Sequence, residues 1–306
     1  MLFGSQCDEV ESRRLLDEAA DLGINFLDLA DRYPAPPSFE YIGRTEEIVG
    51  RWIREQSRSL VVATKFGRPT SPDPNAQGGS RKHVIEACEA SLKRLGLERI
   101  DIYWMHAPDP GTPLDETFGA LRTLIEQSKI HYVGVSNFEA WQLARALDAA
   151  SEAGIALMAT QPRYNLLNRS PEHDLIPLAI AAGVGVIPYS PLAAGMLTGK
   201  YQRREAPPPG SRMSVNGLDL DRRFYLSQGS FDVVDVLLDV ARAERISPAQ
   251  AAIAWLLARP GVTAAIVGAS RPGQLREAVE SIDVRLSPDS IARLDATVEL
   301  VLPAKS

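Results

Sequence analysis

Short apolar runs rich in β-branched residues recur along the chain at Ile24–Leu29, Leu60–Ala63, Ile100–Trp104, Tyr132–Val135, Ala156–Ala159, Val184–Ile187 and Ala264–Val267. Each is bounded by polar residues, glycine or proline, and each is apolar at nearly every position. That is the pattern of a parallel strand buried on both faces. Between the runs the period changes to that of a helix. Val233, Val236, Leu237, Val240 and Ala241 follow the i, i+3, i+4, i+7, i+8 spacing, and Ala140, Leu143, Leu147 and Ala150 make a similar stripe. Pro113 is expected at the first position of a helix capped by Thr112, and Ser247-Pro248 is expected to open another. Gly23, Gly96, Gly154 and Gly183 follow helical text, where a left-handed C-cap is expected.

Strands interleaved with helices predict a parallel α/β sheet, either doubly wound or closed into a (β/α)8 barrel. No G-x-G-x-x-G follows any predicted strand. The nearest text, Gly183-Val184-Gly185, precedes one and opens no helix. Without that fingerprint, and with about eight βα units over the chain, a (β/α)8 barrel forming a single domain over residues 1–306 is the better fit. An eighth strand would have to precede the first helix, where only Met1–Gly4 is available. The first strand is therefore expected to be shortened or missing, leaving the strands at 24–29 and 264–267 each with an unpaired edge. Irregular text falls at 33–44, 66–80, 107–113, 161–173 and 190–230, on the rim where barrel chemistry is built. The last stretch, which holds Pro207, Pro208, Pro209 and Gly210, is long enough to be functional.

Composition narrows the function classes. Hydrophobic residues make up 45% and charged residues 24%, which excludes wholesale disorder and collagen-like repeats. No apolar run reaches the roughly 18 residues of a membrane span, and the N-terminal text MLFGSQCDEVESRR does not read as a secretory signal. A cytoplasmic protein without a membrane partner is expected. The 33 basic against 39 acidic residues give a net charge of −6, which argues against nucleic acid as a partner. An anionic small molecule would need local basic groups. Cys7 and Cys88 both lie in helix-like text with no C-x-x-C spacing, and free buried thiols are expected. His83, His106, His131 and His173 share no metal-ligand spacing, so no metal is expected.

Four ionisable residues sit at the rim ends of three successive predicted strands. Asp28 lies inside INFLDLAD, Tyr33 follows it by five residues, Lys65 ends VVATKFG and His106 ends DIYWMHAPD. A charge inside an apolar strand is costly unless paired, so Asp28 and Lys65 on neighbouring strands are expected to form an ion pair. A lysine beside a tyrosine favours the tyrosinate form, and such a tyrosine can donate and recover a proton near neutral pH. His106 could hydrogen-bond a substrate carbonyl or tune the same transfer. Singly, each residue has a structural reading. The four together, at consecutive strand ends, carry the functional one.

The segments GINFLDLADRY, ATKFG, IDIYWMHAPD, YVGVSNF, QPRYNLLNR, YSPLAAGMLTGKY and IVGASRPGQLREAV occur in this order. They resemble the signature segments of the aldo-keto reductases, and the resemblance covers almost the whole chain. It implies a (β/α)8 barrel, here with the family's N-terminal hairpin and first strand shortened or missing, that binds NADPH without a Rossmann domain and transfers hydride reversibly to the carbonyl of a small-molecule aldehyde or ketone. It implies Asp28, Tyr33, Lys65 and His106 as the catalytic four, with Tyr33 the proton donor. It implies Ser136, Asn137 and Gln161 as partners of the nicotinamide carboxamide, and Tyr189 as the ring on which nicotinamide stacks. Ser190, Leu192, Ala193, Gly195 and Lys200 match the loop around the pyrophosphate. Gly268, Ser270, Arg271, Gln274 and Glu277 match the segment holding the 2′-phosphate and adenine, with Arg212 a further 2′-phosphate contact. The helix there is expected to begin near Pro272, placing the phosphate near its N-terminus. Ala278 departs from the family's usual Asn, a loss of about 0.5–1.5 kcal/mol if one hydrogen bond to adenine goes. The loop 33–44 is expected to shape the substrate mouth, with Phe66, Trp104 and Tyr164 as lining candidates. The same resemblance admits an NADPH-binding regulatory subunit like the potassium-channel β subunits, or a reductase of nucleotide-linked keto-sugars.

Overall fold

The computed structural model describes residues 1–215 and 219–297. Strands β1 (Phe26–Asp28), β2 (Val61–Phe66), β3 (Ile100–Met105), β4 (Ile130–Ser136), β5 (Leu157–Gln161) and β6 (Gly185–Val186) form one sheet in chain order. The registers from β1 to β5 are parallel, with Asp28 opposite Ala63, Lys65 opposite Trp104, Trp104 opposite Gly134 and Ser136 opposite Gln161. α1 (Glu9–Asp21) precedes β1, and helices fill the crossovers: α2 (Arg44–Ile53), α3 (Arg81–Leu95), α4 (Leu114–Glu126), α5 (Ala140–Glu152) and α6 (Leu175–Ala181). They are followed by α7 (Asp219–Tyr225), α8 (Gln228–Glu244), α9 (Pro248–Leu257), α10 (Gln274–Glu280) and α11 (Pro288–Asp295). A parallel sheet in chain order with a helix in each crossover is the α/β arrangement of a (β/α)8 barrel. Six of its strands are formed among the described residues.

Six of the seven predicted runs are strands, and several extend further toward the rim than apolar text alone indicated. β2 continues through Thr64 and Lys65 to Phe66, although two of these residues are polar. Each buried polar group there has a partner: Thr64 Oγ1 donates to Glu46 Oε1 at 2.5 Å, and Lys65 Nζ donates to Asp28. The run 264–267 is not a strand. It makes only the isolated bridge of Ile266 with Tyr189, and the amides of Thr263 and Ile266 donate to Val186 O and Pro188 O at 2.8 and 2.9 Å. Pro188 has no N–H to return, so the ladder stops. Residues 1–7 form a turn closed by Gly4 N donating to Cys7 O at 2.8 Å, with a single bridge between Phe3 and Cys7.

Local chemistry sets the helix ends. Ser247 caps α9 through a reciprocal box with Gln250, as its sequence predicts. α4 begins one residue later than expected. Pro113 is itself the cap, because the Thr112 hydroxyl donates to Asp109 Oδ2 at 2.7 Å. Gly23, Gly96, Gly154 and Gly183 all adopt left-handed backbone just past their helices. The stretch 190–230 is less irregular than expected. It holds 3-10 turns at Ala193–Thr198 and Arg212–Ser214, then α7, and Ala193, Met196 and Leu197 are buried at helical spacing. Cys7 lies before α1 rather than in a helix, and both cysteines are free and buried. Burial pushes the Cys88 thiol up to about 12, which leaves it unreactive.

The backbone groups into two compact units. The first comprises Met1–Gln161, Leu178–Gly185 and Gly268–Pro272, and the second Pro162–Pro177, Val186–Val267 and the chain from Gly273. In the first, Gly134 lies against the Trp104 ring, where any side chain would collide, and Trp104 is fully buried. Among the described residues no helix is long and apolar enough to cross a membrane, and no cluster of three or more His, Cys, Asp or Glu could hold a metal ion.

Candidate active site

The first unit brings Asp28, Tyr33, Lys65 and His106 together. β1 and β2 are neighbours, so the carboxylate of Asp28 and the ammonium of Lys65 face each other from adjacent strand ends. Lys65 is 1% exposed, and its Nζ donates to Asp28 Oδ2 and, at 2.7 Å, to Leu29 O. The second oxygen of Asp28 accepts from Gln161 Nε2 at 3.0 Å. The ammonium stands 5.6 Å from the centroid of the Tyr33 ring, and that ring meets His106 edge to face at 6.0 Å and 87°. The backbone of His106 is held on both sides: its N–H donates to Phe66 O and its carbonyl accepts from Asn137 Nδ2, each at 2.9 Å. Burial, and then the charges of Lys65, Arg68 and Arg32, hold the imidazole well below the usual histidine range. It is neutral at pH 7. Its Nδ1 is buried without a hydrogen-bond partner.

Gln161 joins this cluster to a second one. Ser136 and Gln161 are 1% and 2% exposed. Ser136 Oγ donates to Gln161 O at 2.9 Å, and Asn137 Nδ2 donates to Ser136 Oγ at 3.1 Å. Asn137 takes left-handed backbone at φ 62°, which asparagine accommodates better than most residues. Of the remaining predicted positions in this unit, Gly268, Ser270 and Arg271 are exposed. Ser270 O accepts from the Cys7 thiol at 4.0 Å.

The second unit carries the other predicted positions. Tyr189 OH accepts from Arg163 Nε at 3.3 Å. In the loop that follows, Ser190, Ala193, Ala194 and Gly195 all have φ between 49° and 88°. Left-handed backbone costs a non-glycine residue about 1–2 kcal/mol, and strain of this kind collects at ligand sites. Successive N–H groups in such turns form concavities suited to anions. The flexible end of Lys200 lies in the space beside Gly195, with Nζ 2.6 Å from where a Cβ would sit. Leu192 is half-buried in this loop. Arg212 is turned to Asp221, with Nε at 3.4 Å from Oδ2. Gln274 is exposed and Glu277 half-buried on α10, which starts at Gln274 rather than near Pro272, with Gly273 as its cap.

The sequence profile described as Aldo/keto reductase family matches residues 1–299. The chain belongs to that family. It is 38% identical to a Schizosaccharomyces pombe protein named as a voltage-gated potassium channel subunit beta, over 96% of this chain and 86% of the relative. It is 37% identical to L-glyceraldehyde 3-phosphate reductase of Escherichia coli O157:H7, over 94% of this chain and 83% of that protein. It is 34% identical to Protein tas of Escherichia coli K12, over 97% and 91% respectively.

In this aldo/keto reductase family member several features escaped sequence reasoning. Phe66, Trp104 and Tyr164, expected near the substrate mouth, are all fully buried: Phe66 packs on Tyr103, Trp104 on Gly134, and Tyr164 on Trp255 with its hydroxyl donating to Glu172. Arg163 is caged by the rings of Tyr189, Phe224 and Tyr225 at 5.0–5.9 Å, a placement no local pattern signals. Asp31 is 1% exposed, and neither of its carboxyl oxygens makes a hydrogen bond of normal geometry. Burial, and then Glu46, push this carboxyl well above the usual carboxylate range, against the opposing pull of Arg94 and the Arg32 N–H.

A folded value above the unfolded one, about 3.9, gives stability that is complete below the unfolded value and is lost as pH rises through the folded value. Asp31→Asn stays neutral at every pH. It is expected to be more stable than the parent by about 1–3 kcal/mol at neutral pH, with the gap closing as pH falls toward about 4. Urea midpoints across that range check this, and a gap that does not change with pH would show that Asp31 is not titrating.

Proposed function

We propose that the chain is an NADPH-dependent reductase of aldehydes or ketones, with Tyr33 as proton donor. The observation that carries this reading is the buried ammonium of Lys65, held by Asp28 and Leu29 O beside the Tyr33 ring. NADPH, when bound, would supply a hydride to the carbonyl carbon. Tyr33 OH gives its proton to the carbonyl oxygen, and the ammonium of Lys65 stabilises the phenolate left behind. Asp28, steadied by Gln161, holds the Lys65 side chain in place. His106, neutral for the reasons above, offers a ring N–H to the carbonyl oxygen and is not the acid at pH 7.

Ser136, Asn137 and Gln161 would hold the carboxamide, and Tyr189 the nicotinamide face. The left-handed turns of Ser190, Ala193 and Gly195, with Leu192 and Lys200, fit the needs of a pyrophosphate. Gly268, Ser270, Arg271, Gln274 and Glu277, with Arg212, are assigned to the adenosine end. Lys200, Arg212 and Arg271 then supply the local positive charge that a chain of net charge −6 needs for an anionic cofactor.

The test is a fluorescence titration with NADPH and with NADH, followed by addition of 4-nitrobenzaldehyde. NADPH is expected to bind at least about tenfold more tightly, the effect of charge-assisted bonds to one phosphate, and the reduced-nicotinamide absorbance is expected to fall once aldehyde is added. Equal affinities would remove the 2′-phosphate assignment. Tight binding with no turnover of any carbonyl would replace the reductase with a cofactor-binding regulatory protein.

A further inference from the structure

Two arginines without a role in the mechanism converge on the same part of the first unit. Arg32 directly precedes Tyr33, and Arg68 lies two residues beyond the end of β2. Burial, and then the charge of Arg68, lower the basicity of the Arg32 guanidinium, which also senses the Tyr33 hydroxyl. Both arginines act on the His106 ring. Two like charges therefore share the surroundings of Tyr33 and His106. Arg32 Nε is buried with no hydrogen-bond partner. Among the described residues no carboxylate lies within ion-pair distance of either guanidinium. Arg32 also lines a cavity of about 290 Å³ whose other walls are Pro37, Ser38, Phe39 and Ile42, from the loop that begins at Tyr33.

Two guanidinium groups with no carboxylate at ion-pair distance leave local positive charge beside the Arg32 cavity, which an oxyanion neutralises. The planar fork of arginine matches carboxylate and phosphate oxygens in pairs. The apolar walls of Pro37, Phe39 and Ile42 suit a short carbon chain, with Arg32 supplying the charged end. We propose that Arg32 and Arg68 form an oxyanion subsite beside Tyr33, and that the carbonyl substrate carries a phosphate or a carboxylate. This inference rests on the reductase reading above, since the anion is placed relative to the proton donor.

The experiment compares substrates that differ by the anion. With saturating NADPH, glyceraldehyde 3-phosphate is set against glyceraldehyde, and succinic semialdehyde against butanal. At least one anionic member is expected to be preferred about tenfold or more in kcat/KM, mainly through KM. Which pair responds distinguishes phosphate from carboxylate. Arg68→Gln and Arg32→Gln are each expected to cut that preference about tenfold, while Arg68→Lys keeps part of it. Arg68 is exposed, so its variants test the charge without disturbing the core. Equal kcat/KM within both pairs, in protein that still reduces 4-nitrobenzaldehyde, overturns the subsite and leaves the reductase standing.

If no aldehyde is reduced, the reductase reading fails and the subsite is judged by calorimetry with inorganic phosphate and with succinate, in the presence of NADPH. Binding weakened about tenfold in the Arg32→Gln/Arg68→Gln double variant supports the oxyanion subsite. Binding that is unchanged in the double variant, or absent from the parent, overturns it.

Discussion

Replacing Tyr33 with phenylalanine is expected to lower aldehyde reduction by about 10²- to 10⁴-fold, the usual contribution of a positioned general acid. The substitution removes one oxygen and leaves the ring. The ring's contacts are edge to face with His106 at 6.0 Å and beneath the Lys65 ammonium at 5.6 Å, and a phenyl group preserves both. The unfolding curve and the dissociation constant for NADPH are therefore expected to stay close to those of the parent. That combination, intact binding with lost turnover, is the signature of a group that acts on the reacting atoms. His106 cannot substitute near pH 7, because burial and the charges of Lys65, Arg68 and Arg32 hold it neutral. Any residual activity carried by His106 would rise as the pH is lowered toward its depressed range. Unchanged turnover in Tyr33→Phe would remove the proton-donor role and, with it, the reading of Lys65 as the group that stabilises the phenolate.

The strand framework was legible because both faces of a parallel strand are buried and the sequence is apolar throughout. Asp28 and Lys65 broke that pattern, and the cost of burying a lone charge was enough to pair them from sequence alone. Thr64 was equally polar, yet its partner Glu46 lies on α2, and nothing local predicts which helix side chain meets which strand. The run at 264–267 misled because it is apolar without being laddered. Its would-be neighbour includes Pro188, whose missing N–H ends the pairing. The charge pattern around the site was the least legible part. Arg32 and Arg68 belong to different loops, and each alone reads as a solvated surface charge. Asp31 likewise looks like one more rim carboxylate in DLADRY, and only its burial without a well-formed hydrogen bond marks it as titrating abnormally. In each case the missing information was long-range: whether water, a counter-charge or a like charge lies against the group.

Removing the ammonium at position 65 is expected to have the largest combined effect of any single substitution. Lys65→Met keeps the length and apolar stem of the side chain but leaves the Asp28 carboxylate, whose side chain is 10% exposed, with only Gln161 as a partner among the contacts described above. Breaking a buried pair from one side typically costs about 3–5 kcal/mol, because the remaining charge stays buried without its counter-ion. Turnover is expected to fall as well, since the phenolate of Tyr33 loses its neighbouring cation. The two losses separate in the double variant Lys65→Met/Asp28→Leu. With neither charge present the desolvation cost disappears, and most of the stability is expected to return. Activity is expected to stay low, because no cation stands beside Tyr33. Urea unfolding and NADPH oxidation, measured on the parent, both single variants and the double variant, complete the cycle. Recovery of stability without activity would assign Asp28 to holding Lys65 and Lys65 to the chemistry. Recovery of both would show that the pair serves the fold alone, and the search for the group that assists Tyr33 would move to His106.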